Sequence, residues 1–165
     1  MLNEHDTGRN EHPVDIVERV AARRHWAFER PDADEISITI SGGWTEYNAS
    51  FSWLAELDAL HIGCAFDLRV PEARRQEMLK LIAMINEQLW VGHFDLWPGE
   101  SVVMFRHSLL LTGNLSATPA QCEAMLQLAL DACERYYQAF QFVVWAGKSA
   151  REALDGAMFE TVGEA

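Results

Sequence analysis

Between Glu35 and Val70 the chain alternates apolar and polar residues almost without a break, and this limits its fold more than any other feature. Ile36, Ile38 and Ile40 alternate with Glu35, Ser37 and Thr39. Tyr47, Ala49, Phe51, Trp53 and Leu57 alternate with Glu46, Asn48, Ser50, Ser52 and Glu56. Leu60, Ile62, Cys64, Phe66, Leu68 and Val70 alternate with His61, Gly63, Ala65, Asp67 and Arg69. Successive side chains of a strand point to opposite faces, so each run specifies a strand with one apolar side. Gly42-Gly43 adopts positive φ freely, and a two-residue loop there predicts the pairs Ser41–Trp44, Ile38–Tyr47 and Ile36–Ala49. A second two-residue loop at Asp58-Ala59 predicts Phe51 opposite Phe66 and Trp53 opposite Cys64. Both registers keep apolar residues on one face, the signature of a three-strand meander.

Helical periods flank the meander. Val14, Val17, Val20 and Ala21 recur at helical spacing after Pro13, predicting an amphipathic helix that ends near Arg24. Pro71 suits a first helical position, and Met78, Ile82, Ile85 and Leu89 follow it toward Gly92, the expected C-cap. A hairpin comes next, with Phe94 and Leu96, a Pro98-Gly99 turn, and Val103, Phe105, His107, Leu109 and Leu111 on one face. Thr118-Pro119-Ala120-Gln121 has the form of a capping box and opens the longest stripe, Cys122, Leu126, Ala129, Cys133, Tyr136, Phe140 and Val144. Gly147 ends or bends this helix, because Ser149 and Glu152 form a second capping box ahead of Leu154, Met158 and Phe159. The fold expected is two-layer α+β in the order α-β-β-β-α-β-β-α, an antiparallel sheet with helices on one face. Residues 1–12 are expected to be a tail and 13–160 one domain.

Composition bears mainly on partners. Twenty-five acidic against 13 basic residues give a net charge of −12, which repels phosphate backbones and anionic lipid, so neither nucleic acid nor a membrane is an expected partner. The three cysteines form no CxxC pair, and no signal-like apolar run precedes the first helix, which together suggest the cytoplasm. None of the six histidines lies in HExxH or His-x3-His spacing, and no GxxxxGK[ST], GxGxxG or GxSxG is present. No metal and no cofactor is expected.

Two polar arrangements have catalytic residue types. Glu56 and His61 face each other if the Asp58-Ala59 loop holds, and His93, Asp95 and Glu100 surround the Pro98-Gly99 turn. The plainer reading is a solvated cross-strand pair and a polar hairpin rim. Cys122 and Cys133 lie on one helix face too far apart to bridge and are assigned to the core with Trp53 and Trp145. Alternation puts Trp44 with Glu46 and Asn48, and Trp97 with His93 and Asp95, on the polar face, where they are the candidate partner-binding residues.

The runs Cys64-Ala65-Phe66-Asp67-Leu68-Arg69-Val70-Pro71, Asn86-Glu87-Gln88-Leu89-Trp90-Val91-Gly92-His93-Phe94-Asp95-Leu96 and Val103-Met104-Phe105-Arg106-His107 are similar to those of the YbjN family. That family is described as candidate bacterial sensory transduction regulators and is similar in fold to type III secretion chaperones. The resemblance spans about Ser41 to Asn114. It implies a helix, meander, helix, hairpin, helix fold, often dimeric, with no established enzymatic activity or cofactor and no catalytic residues to carry over. The function expected is a non-catalytic protein-interaction module, chaperone-like or regulatory, that forms a homodimer or binds another protein. The alternative is a small-ligand sensor with a pocket between the sheet and the C-terminal helix. A hydrolase using His61 or His93 ranks last.

Overall fold

The computed structural model describes residues 11–163. The predicted helix forms as α1 (Pro13–Arg23), its buried side carrying Val14, Val17, Val20 and Ala21. His12 lies at the end of the expected tail, yet its side chain caps α1 by accepting the Val14 N–H at 3.1 Å. Residues 1–10 of that tail fall outside the described residues.

The meander forms as β2 (Glu35–Ser41), β3 (Glu46–Leu54) and β4 (Ala59–Arg69), with both registers displaced from expectation. Ile38 pairs with Ala49 rather than Tyr47, and Ile36 with Phe51 rather than Ala49. Phe51 pairs with Ile62 rather than Phe66, and Trp53 with Leu60 rather than Cys64. Each turn is longer than two residues. In the first, Gly42 and Gly43 curl onto the helix layer, where the Gly43 N–H donates to the Glu134 carboxylate. A Cβ on Gly42 would collide with Glu134 and the Tyr47 ring. These glycines serve close approach, not positive φ. The second turn is a 3₁₀ segment, Ala55–Leu57, closed by Asp58 at φ 49°, a left-handed conformation that aspartate tolerates better than most residues. The displacements, 47 to 49 and 66 to 62, are even numbers of residues, so every side chain keeps its face.

An additional strand, β1 (Ala27–Asp32), precedes the meander and pairs antiparallel with β2, Phe28 opposite Ile38. After β4, a 3₁₀ turn (Glu72–Arg74) leads into α2 (Arg75–Gln88), which buries Met78, Leu81, Ile82 and Ile85. Gly92 does not cap α2, because the helix ends at Gln88 and Leu89 is already extended. Instead Gly92, at φ +71°, carries the chain across Phe105, where a Cβ would overlap that ring. The hairpin is β5 (His93–Trp97) and β6 (Val102–Leu110), and β6 inserts beside β4 to give the sheet order β1-β2-β3-β4-β6-β5.

The long helix α3 (Pro119–Val144) begins with the predicted capping box, the Gln121 N–H donating to Thr118 Oγ1 at 3.1 Å and the Thr118 N–H to Gln121 Oε1 at 2.9 Å. Gly147, at φ +65°, separates it from α4 (Ala150–Gly163), and Ser149 Oγ accepts the Glu152 N–H at 3.2 Å. Two charged side chains clamp this corner. Arg74 donates to the carbonyls of Val143 and Lys148, and Glu77 accepts the Ala150 N–H at 2.9 Å. Trp145, assigned to the core, sits at the C-cap of α3 and is exposed, because two residues past Val143 it falls on the side of the helix opposite the buried stripe.

The α+β class and the order of the predicted elements hold, with β1 added in front and α4 behind. Between the layers Phe66 packs against Tyr47, Tyr137 and Phe140, and Phe94 against Phe105, Tyr136 and Phe140, at centroid distances of 5.1–6.0 Å. Offset and edge-to-face pairs of this kind add to the apolar area they bury. The thiols of Cys122 and Cys133 are buried, and burial pushes Cys122 up to about 11, so it stays a protonated core group at neutral pH.

Candidate functional site: the open face of the sheet

The helices α1, α2 and α3 pack on the apolar side of the sheet and α4 packs against α2 and α3, so the polar sides of six strands form one surface that no other described element covers. The register orders that surface into rows. Leu54, Ala59 and Leu110 stand side by side at one end. Next come Glu35, Ser52, His61 and Ser108, then Ser37, Ser50, Gly63, Arg106 and His93, then Thr39, Asn48, Ala65, Met104 and Asp95. At the far end Arg69 pairs with Val102 and Val102 with Trp97. The middle rows carry small side chains tied by a hydroxyl ladder, Ser37 Oγ donating to Asn48 Oδ1 at 2.8 Å and lying 3.3 Å from Ser50 Oγ. That half of the surface carries two open depressions, one of about 400 Å³ beside Phe28, Ser37 and Asn48 and one of about 300 Å³ beside Thr39, Asn48 and Ala65.

A charged cluster stands on the other half. Arg106 Nε–H donates to His61 Nε2 at 3.2 Å, and its Nη1 reaches Asp95 Oδ2 at 3.2 Å, with His93 Nε2 3.8 Å from the same oxygen. Burial first, then the Arg106 guanidinium and the neighbouring His93 and His107, hold His61 below its usual pKa. A neutral His61 is what the Arg106 bond requires, since Nε2 must keep its lone pair. The expected Glu56–His61 pair does not form. Glu56 is in the 3₁₀ turn, and His61 stands opposite Ser52 and Ser108. His93 and Asp95 do share a face, but Glu100 lies in the β5–β6 turn beside Arg69 and Pro71. Among the described residues no three His, Cys, Asp or Glu side chains are grouped to hold a metal ion.

The candidate tryptophans occupy the same end of the sheet but differ in setting. Trp97 ends β5 on the open face beside Val102 and is 42 % exposed. Trp44 is 49 % exposed and lies in the β2–β3 turn, outside the strand pairing that alternation assumed. Sequence reasoning missed the opposite end, where Leu54, Leu57 and Leu110 are 39 %, 66 % and 67 % exposed. The signal was present, because Leu109-Leu110-Leu111 in a strand must turn its middle residue to the other face.

Both sheet edges are closed to further strands. Asn86, at the end of α2, donates Nδ2–H to the Phe94 carbonyl at 3.0 Å and accepts the Phe94 N–H on Oδ1 at 2.7 Å. One amide thus stands where a neighbouring strand's peptide would pair with β5. On β1, Pro31, the charges of Glu29, Arg30 and Asp32, and a register break between Glu29 and Asp32 do the same work. A groove of about 280 Å³ lies between β6 and α3, where the ligand-sensor alternative expects a pocket, lined by Trp90, Val91, Phe105, Ala132 and Arg135 among others, at the edge of the packed aromatic layer.

The sequence model of the YbjN family, described as "Putative bacterial sensory transduction regulator", matches residues 13–142. The chain belongs to the YbjN family. The matched span runs from α1 through most of α3, and the family-like runs are the ones that build β4, the Asn86 latch with the Gly92 crossing, and β6. Among solved structures, this YbjN chain is similar to E. coli YbjN, described as a putative transcription regulator, at 9 % identity and TM-score 0.53, over 81 % of this chain and 90 % of that one. The ExsC–ExsE complex matches at 17 % identity and TM-score 0.49, over 73 % of this chain and 86 % of that one. The likeness to E. coli YbjN is one of fold. No curated protein matches by sequence. No helix among the described residues is long and apolar enough to cross a membrane.

Proposed function

We propose that this YbjN chain is a non-catalytic, regulatory protein-binding module whose partner, or second copy, docks on the open face of the sheet with Trp97 and Trp44 as anchors. The observation that carries this reading is the six-strand surface that no other described element covers, lined in the middle by small polar side chains and with exposed large apolar side chains at both ends. Exposed apolar groups gathered on one surface mark association sites, and tryptophan is enriched among the residues whose truncation costs most affinity. The closed edges favour docking on the face over extension of the sheet. The buried cysteines and the pairing of His61 with Arg106 leave those groups in structural roles, which supports the non-catalytic part.

A photoreactive amino acid placed at Ser50, in the middle of the face, tests the proposal in the living cell. Covalent protein adducts from Ser50, lost in the Trp44→Ala, Trp97→Ala double variant, are expected, and an adduct to the chain itself identifies a homodimer. No adduct from Ser50 alongside strong adducts from Gln127, exposed on α3, would place the interaction on the helix layer and overturn the assignment.

A further inference from the structure

The leucine-bearing end of the open face has its own chemistry. Leu54 and Leu110 project from β3 and β6 on either side of Ala59, which is only 4 % exposed, so the accessible apolar surface here is that of the leucines. Leu54 and Leu110 are separated by two strand spacings, roughly 9–10 Å, a width that one side of a helix can cover. Leu57, 66 % exposed, lies in the turn that joins Leu54 to Ala59. Exposed leucines are unremarkable singly, but here three gather at one end of the sheet.

The surroundings are acidic. The turn and strand ends that build this end, Ser52 to His61 and His107 to Leu111, contain no lysine or arginine, Glu56 and Asp58 flank Leu57 directly, and Arg106, two rows away, is tied to His61 and Asp95. Glu35 stands one row away on the same face. Neither Glu35 nor Glu56 has a lysine or arginine within ion-pairing distance among the described residues, and the nearby Arg30 is engaged by Asp15 and Glu18. A strand-shaped partner is disfavoured because both sheet edges are closed, by Asn86 on one side and Pro31 on the other. An apolar patch bordered by acidic residues fits a helix whose apolar stripe is flanked by cations.

We propose that Leu54, Leu57 and Leu110, around Ala59, bind an amphipathic helix of a partner protein whose apolar side is bordered by lysine or arginine. This rests on the protein-binding reading above and names the partner's chemistry at one end of that face. The test uses a fluorescent leucine–lysine amphipathic peptide of roughly 18 residues, five helical turns, and a matched leucine–glutamate peptide, followed by anisotropy at low and high salt. The lysine peptide is expected to bind wild type with salt-sensitive affinity, and the glutamate peptide not to bind. Leu57→Ser with Leu110→Ser should weaken binding by about tenfold or more, as hot-spot truncations do, while Gln127→Ala, exposed on α3, leaves it unchanged. Both leucines are exposed, so the variant keeps its fold. Equal affinity of wild type and leucine variant would mean that charge alone draws the peptide, and would overturn the proposal. No binding to wild type, with Ser50 adducts still forming in the cell, would refute this site and leave the broader reading standing; loss of both refutes both.

Discussion

Replacing Asn86 by alanine isolates the closure of the β5 edge. The change removes two hydrogen bonds to one residue, the 3.0 Å bond to the Phe94 carbonyl and the 2.7 Å bond from its N–H. Each bond contributes about 0.5–1.5 kcal/mol net, and a polar group left unpaired in a half-buried setting costs about 1–3 kcal/mol. Water reaches part of this edge, so the expected loss is about 2–3 kcal/mol. At about 2–4 °C per kcal/mol for a domain of this size, the melting temperature falls by roughly 4–12 °C. Asn86→Asp separates the two bonds, because a carboxylate still accepts the Phe94 N–H but faces the Phe94 carbonyl without a proton to donate. It should therefore recover only part of the loss. Urea unfolding gives the free energies, and hydrogen exchange at the Phe94 amide reports the edge directly. A loss below about 0.5 kcal/mol, the ordinary range for surface substitutions, with unchanged Phe94 exchange would refute the latch. A stable variant that instead associates with rising concentration would show that the edge was closed against other strands rather than for stability.

Two further outcomes follow from the core and the charged cluster. Phe66→Ala should cost about 3–5 kcal/mol and Leu126→Ala about 2–5 kcal/mol in urea unfolding, while Asn48→Ala on the open face stays within about 1 kcal/mol; unchanged midpoints for both core variants would mean that the faces are misassigned. His61 and His107 are both held below the usual histidine pKa, chiefly by burial, so protonation favours the unfolded chain. Their stabilisation is complete above the unfolded value near 6.5 and declines as pH falls below it. Urea midpoints measured from about pH 8 to about pH 5 should show that decline, and His61→Gln should flatten it; an identical slope in that variant would remove His61 from the account.

Alternation fixed which side of each meander strand faces the core, and that survived a wrong register because both slips were even. Ile38 faces inward whether it pairs with Tyr47 or Ala49, so face carries no information about loop length. The loops were misjudged because Gly42 and Gly43 answer to Glu134 on α3, ninety-one residues away, which no local turn rule contains. β1 was invisible for a related reason. Ala-Phe-Glu-Arg-Pro-Asp has a single large apolar residue, Phe28, itself 38 % exposed, and a proline, and its pairing rests on the edge that β2 presents. Nothing local specifies that β6 rather than β5 sits beside β4, as either hairpin strand has an apolar face. At the candidate site, the strand pattern placed Trp97 on the open face, but the same pattern failed for Trp44 because a turn residue has no alternation to obey.

The clamp at the α3–α4 corner has a kinetic consequence. Arg74 and Glu77 join the start of α2 to residues 69 to 74 positions later in the chain. Contacts spanning such separations must wait for the intervening loop to close, and interactions absent from the folding barrier govern how fast the native state is lost rather than how fast it is reached. The C-terminal helix buries Ala150, Ala153, Leu154 and Ala157 beyond the last residue of the family match, behind this same clamp. It is therefore a bolt more than a beam: loosening Arg74 or Glu77 should shorten the lifetime of the folded chain while leaving its folding rate almost untouched.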